Sequence, residues 1–203
     1  MADFDAAFDK MLAHEGGYVN DSTDFGGETY KGISRRFHPR SGAWSIVDAV
    51  RKSVYGELMP STRGQFERMD EALDEHAEQL DVHVRGFYYD YFWSPFWGDK
   101  IEAQAVAEEL FDTGVNMGVT RAVSFMQEAC NLLNRNGSLF KDITVDGKYG
   151  PNTNRAVESV LASDKETVLK ILNVLQGIHY IELMRKYPAQ EKYARGWFRR
   201  VMV

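Results

Sequence analysis

The sequence predicts a mainly α-helical globule with one small β-hairpin, and three observations carry that prediction. Apolar residues recur at helical spacing through most of the chain. One stretch, residues 18–34, is too polar and too rich in Gly for a helix, and reads as a loop with a short hairpin. Asp146-Gly147 and Gly150-Pro151 are strong turn signals between apolar segments.

In chain order, Phe4, Phe8, Met11 and Leu12 share one face of a helix spanning residues 2–15. Gly16 and Gly17 end it. After the polar stretch, Ile46–Leu58 and Gln65–Phe92 read as helices. The second ends in an aromatic run from Phe87 to Trp93, before Pro95. Glu102–Leu133 reads as one or two helices with a turn near Gly114–Gly118. A helix starts at Asn152. Ser163 and Glu166 have capping-box spacing for a helix running to about Tyr187, and a short helix follows over Gln190–Arg200. No internal repeat or low-complexity linker is visible. The expected division is 1–97 and 98–203, packed together, with no flexible tether at the join.

At 203 residues, with 44% apolar and 13% aromatic residues, the chain can bury a core and is not of disordered composition. A net charge of -6 argues against nucleic acid as a partner. From Glu182 onward six basic residues face two acidic ones. This local surplus could steer the chain to a polyanion, or could simply be a solvated helix face. Cys130 is the single cysteine, so no intrachain disulfide forms, and it reads as a small core residue of a protein folded in the cytoplasm. Neither a secretory signal nor an apolar run of membrane-spanning length is visible. His14, His38, His76, His83 and His179 have no zinc-site spacing, and Ser124 and Ser138 have no nearby triad partners. No metal or cofactor is expected.

The chemistry concentrates after the first helix. Glu15 stands at its predicted C-terminus, where the partial negative charge of the helix disfavours a carboxylate. An apolar wall would add desolvation, and both effects raise a carboxyl pKa. A protonated glutamic acid near neutral pH is what glycosidic cleavage needs at its leaving oxygen. A second carboxylate must activate water or stabilise the sugar cation. Asp24, nine positions on and beyond a Gly-containing turn, is the candidate, with Asp21 as its rival; Thr29 could hold the water. Spacing alone leaves an ordinary polar turn as the alternative.

The residue pattern goes further. Glu15-Gly-Gly-Tyr-Val-Asn-Asp, then Asp24-Phe-Gly-Gly-Glu-Thr29-Tyr-Lys-Gly32-Ile-Ser34, resembles the signature of glycoside hydrolase family 108, the N-acetylmuramidases of phages and bacteria. The resemblance continues in Phe87-Tyr88-Tyr89 through Tyr91, Trp93 and Pro95. It recurs at Leu110-Phe111-Asp112 with Val115-Asn116-Met117-Gly118, and at Gly196-Trp197 with Arg199-Arg200. Residues 38–80 match least and read as a variant helical insertion. The likeness implies a lysozyme-like fold and places the family's catalytic glutamate on Glu15. Phage-type lysozymes are similar more loosely: they also set an Asp nine positions after the Glu, whereas Thr29 comes one residue earlier than their Thr.

The implied activity is cleavage of the β-1,4 bond between N-acetylmuramic acid and N-acetylglucosamine, with a mild preference for inversion. Tyr18, Tyr30, Tyr88, Tyr91, Trp93 and Asn116 are the candidate substrate contacts, most of the aromatic run being expected in the core. Val145-Asp146-Gly147-Lys148-Tyr149-Gly150-Pro151-Asn152-Thr153 is similar to the turn of small helical peptidoglycan-binding domains, and could equally just join two packed helices. The expected partner is peptidoglycan, acted on by a monomer without stable membrane insertion. The expectation is an endolysin-type protein made in a host cytoplasm and delivered by a holin or an export system to the periplasmic wall. A bacterial origin, a lytic transglycosylase and a non-catalytic murein-binding or secretion-accessory protein remain open.

Overall fold

The computed structural model describes residues 1–12, 16–21 and 26–201. It divides into two compact units, Phe8–Asp90 and Met1–Ala7 with Tyr91–Val203. The first helix, α1 (Phe4–Leu12), crosses the division. Its expected continuation to residue 15 lies outside the described residues.

In the first unit, Phe8 and Met11 of α1 are buried, as their spacing predicts. Strands β1 (Tyr18–Asn20), β2 (Glu28–Tyr30) and β3 (Ile33–Ser34) form an antiparallel sheet in chain order. Tyr18 pairs with Tyr30, Val19 with Thr29, and Tyr30 with Ile33. The expected hairpin thus gains a third short strand. The two-residue turn Lys31-Gly32 has positive φ at both positions (42° and 76°), the geometry that tight antiparallel connections favour.

Helices α2 (Ala43–Tyr55), α3 (Arg63–Asp74) and α4 (Ala77–Tyr88) complete this unit. Gln65 Oε1 accepts the Thr62 amide at 3.1 Å and caps the start of α3. The single helix expected over Gln65–Phe92 is therefore two, broken at Glu75-His76. Leu73 and Leu80 are both fully buried and seven positions apart, so the apolar stripe stays in phase across the break and hides it. After α4 the chain widens into a π-helical turn over Tyr89–Trp93.

The second unit is built on α5 (Gln104–Met117), α6 (Val119–Leu133) and α7 (Pro151–Lys186). The break between α5 and α6 falls at Gly118, inside the expected turn. Leu110, Phe111, Met126, Cys130, Val160, Val168 and Leu172 are buried among these helices. Burial pushes the Cys130 thiol up to about 12, as befits a core residue. Helix α7 is interrupted at Asp164 (φ −125°, ψ 28°), one residue beyond the expected cap at Ser163. The Ser163 hydroxyl instead donates to the Asp164 carboxylate at 2.7 Å. A 3-10 turn over Pro188–Tyr193 and the short helix α8 (Ala194–Trp197) follow. Trp197 stacks on Tyr180 with ring centres 4.8 Å apart, and Arg200 pairs with Asp112 at 2.5 Å. Among the described residues no helix is long and apolar enough to cross a membrane.

Candidate active site

Glu15 and Asp24 lie outside the described residues, so the site is built from what surrounds them in the chain. The backbone just after Glu15 is held by a carboxylate from α3. The Tyr18 amide donates to Asp70 Oδ1 at 2.7 Å. Gly17 is obligatory here, because a Cβ at that position would stand 2.3 Å from Asp70 Oδ1. Lys31 in the β2–β3 turn donates its amide to the Gly17 carbonyl at 3.2 Å, so Gly17-Tyr18 is gripped from two sides.

Asp70 is half-buried. Burial raises its pKa and the Tyr18 amide opposes the rise. Burial also pushes the Tyr30 hydroxyl up to about 12, with Asp70, Asp74 and Asp81 adding negative potential. Asp70 and Asp74 of α3 and Asp81 of α4 thus give the sheet an acidic surrounding.

A second network fixes β2. The Tyr18 hydroxyl donates to Glu28 Oε1 at 2.9 Å. Arg35 pairs with Glu28 and grips Asp48 through both terminal nitrogens, at 3.0 and 2.7 Å. Its guanidinium lies 4.2 Å from the centre of the Trp44 ring. Thr29 sits between the two strand pairings, and its hydroxyl donates to the Gly27 carbonyl at 3.3 Å. Ser34 Oγ closes the loop by donating to the Gly26 carbonyl at 2.6 Å.

The aromatic candidates divide by burial. Tyr18, Tyr30, Tyr88 and Trp93 are core side chains, each at most 3% exposed, and offer no face to a sugar. The Tyr88 hydroxyl donates to the Lys31 carbonyl at 3.0 Å, and Trp93 Nε1 donates to Asp99 at 2.8 Å. Both rings sit at helical spacing inside apolar packing, which explains the correction. Tyr91, 53% exposed, and the exposed Asn116, which donates to the Asp112 carbonyl at 2.8 Å, keep surface positions. Asp21 is also exposed.

These features frame the comparisons with known proteins. A family model described as "Glycosyl hydrolase 108" matches residues 8–118, more than half of the chain. The chain belongs to the glycosyl hydrolase 108 family. It is a glycoside hydrolase. A second model, described as "Predicted Peptidoglycan domain", matches residues 121–202. Together the two matches support a muramidase-like role in hydrolysing peptidoglycan. Among solved structures, "Structure of Brucella abortus SagA" is 21% identical over 98% of this chain and 88% of that one, with a TM-score of 0.58, and shares the lysozyme-like fold. No curated protein matches.

Sequence reasoning missed Asp70. It follows the fully buried Met69 in α3, within the stretch that reads as an insertion, and its partner is 52 positions away. The only local hint was a carboxylate on the border of an apolar stripe.

Proposed function

We propose that the chain hydrolyses the β-1,4 bond between N-acetylmuramic acid and N-acetylglucosamine, with Glu15 as general acid. The observation that carries the reading is Glu15-Gly16-Gly17 standing directly before backbone that Asp70 and Lys31 pin in place. A proton donor must be held within hydrogen-bonding reach of its leaving oxygen, and anchoring Gly17 and Tyr18, two and three positions on, serves that end. Asp24 is the second carboxylate, with Asp21 as the alternative, and Thr29 lines the water. Tyr91 and Asn116 are the substrate contacts we retain. A carboxyl separation of about 6.5–9.5 Å would give inversion and about 5–5.5 Å retention; we favour inversion.

In this reading residues 1–97 cleave and residues 98–203 hold the wall. An endolysin setting, with delivery through a holin or an export system, completes this reading. Mass spectrometry of digested murein tests the reaction. The expected products are fragments ending in reducing N-acetylmuramic acid. Anhydro-sugar ends would assign a lytic transglycosylase instead, and intact murein with retained binding would make the chain a wall-binding accessory.

A further inference from the structure

Helix α7 carries two rows of side chains at four-residue spacing, on opposite faces. Val168, Leu172, Gln176 and Tyr180 are buried in the second unit. Lys170, Val174, Ile178 and Glu182 form the other row, and all four are exposed. Val174 is 46% exposed, Ile178 45%, and the neighbouring Ile181 37%. Towards α6 this row borders a shallow groove of about 370 Å³. Its walls include the half-buried Ile171 and Leu175 and the 64% exposed Leu132. Single exposed apolar side chains are ordinary on a protein surface, but a contiguous aliphatic patch marks a place of contact.

The ends of the row say what it fits. Lys170 closes it towards the N-terminus and Glu182 towards the C-terminus, and neither forms an ion pair among the described residues. Side chains four apart make the ridge that packs into the groove of a neighbouring helix, and the commonest crossing, at about −50°, lays two such ridges alongside each other. Two copies of this ridge match when they run antiparallel about a twofold axis near Gln176. Val174 then meets the partner's Ile178, and Lys170 meets the partner's Glu182. The symmetry makes each of these contacts twice. A parallel pairing would instead set lysine against lysine and glutamate against glutamate. An aliphatic ridge offers no hydrogen bonds to a glycan strand. One charge of each sign gives no net attraction to an anionic membrane surface.

We propose that this face is the interface of a homodimer in which α7 of one copy crosses α7 of its partner. This departs from the monomer expected of the sequence, where the outward row and the buried row have the same spacing. The interface belongs to the second unit and does not depend on how the chain cleaves its substrate. A single helix crossing buries less than the roughly 800 Å² per partner of a standard interface, so the association is weak, with a Kd in the micromolar range.

Sedimentation velocity of the full chain from about 1 to 300 μM spans that range and tests the proposal. The sedimentation coefficient should rise from the monomer value towards the dimer value. Ile178→Glu, at an exposed site that leaves the melting temperature unchanged, should hold the chain monomeric throughout. Lys170→Glu and Glu182→Lys should each weaken association by roughly tenfold or more, because like charges then meet at both ends of the ridge. Both changes in one chain should restore association to near the parent value. A chain that is monomeric at every concentration would overturn the proposal. So would association indifferent to Ile178→Glu or to the single charge changes, or a double swap that fails to restore what they remove. A monomer that sediments only with phosphatidylglycerol vesicles would assign the face to a membrane and overturn it equally.

Discussion

Two loops in this molecule are latched in contrasting ways. After α1, the backbone at Gly17-Tyr18 is held by the carboxylate of Asp70. Before α7, the turn at Asp146-Gly147-Lys148 is held by the neutral carboxamide of Gln127. In both places a glycine is required because its Cβ would collide with a neighbour, Asp70 in one case and Thr120 in the other. The difference lies in the charge. A neutral, fully hydrogen-bonded amide can be buried without dependence on pH, whereas a half-buried carboxylate is penalised by desolvation and carries a field into its surroundings. The charged latch stands where an acid is proposed to work, and the neutral latch stands in the unit matched by the peptidoglycan-domain model.

That contrast can be broken most strongly at Gly17. Gly17→Ala places a methyl 2.3 Å from the Asp70 carboxylate, which cannot retreat without losing the Tyr18 amide. Overpacking of this kind costs about 1–3 kcal/mol. Displacement next to Glu15 should lower lysis of purified walls by roughly tenfold to a hundredfold. Turbidity assays on a variant shown to be folded by circular dichroism would check it, and normal lysis would show that the charged latch has no catalytic consequence.

Gln127→Ala is the matching change in the other unit. It strips the partners from the Gly147 amide and the Lys148 carbonyl and should cost about 1–3 kcal/mol. The rate on a short soluble glycan should stay near that of the parent. Because the Gln127 amide holds the Asp146 carboxyl below its ordinary range, the loss seen by thermal denaturation should be largest at neutral pH and shrink as Asp146 protonates in acid.

Asp70→Asn should have the smallest effect and sharpen the contrast. Its Oδ1 still accepts the Tyr18 amide, but the charge is gone. Because the folded-state pKa of Asp70 is raised, this group favours folding below the ordinary carboxylate range and loses that contribution as pH rises through its raised value. The variant should therefore melt at or above the parent temperature at neutral pH, and the advantage should vanish in acid. A lower melting temperature at neutral pH would contradict the assignment.

Much of this architecture was legible in the residues, because local periodicity carries it. Phe8 and Met11 of α1, the break at Gly118 and the α7 start at Pro151 follow from spacing and turn chemistry. The break at Glu75-His76 was hidden because Leu73 and Leu80 keep phase across it. Burial of Tyr18, Tyr30, Tyr88 and Trp93 was less legible, since an aromatic at helical spacing serves a core or a sugar equally well. Neither latch could be read at all. Asp70 meets Tyr18 across 52 positions and Gln127 meets Asp146 across 19, and such pairings exist only once the helices are packed. Of the catalytic pair, only the motif speaks.

The most direct test of the account is the release of reducing ends from purified sacculi by the Glu15→Gln chain, with sacculus binding measured on the same sample. Binding should persist while reducing-end release drops by about 10²-fold or more. Release near the parent rate from a folded Glu15→Gln chain would contradict the account.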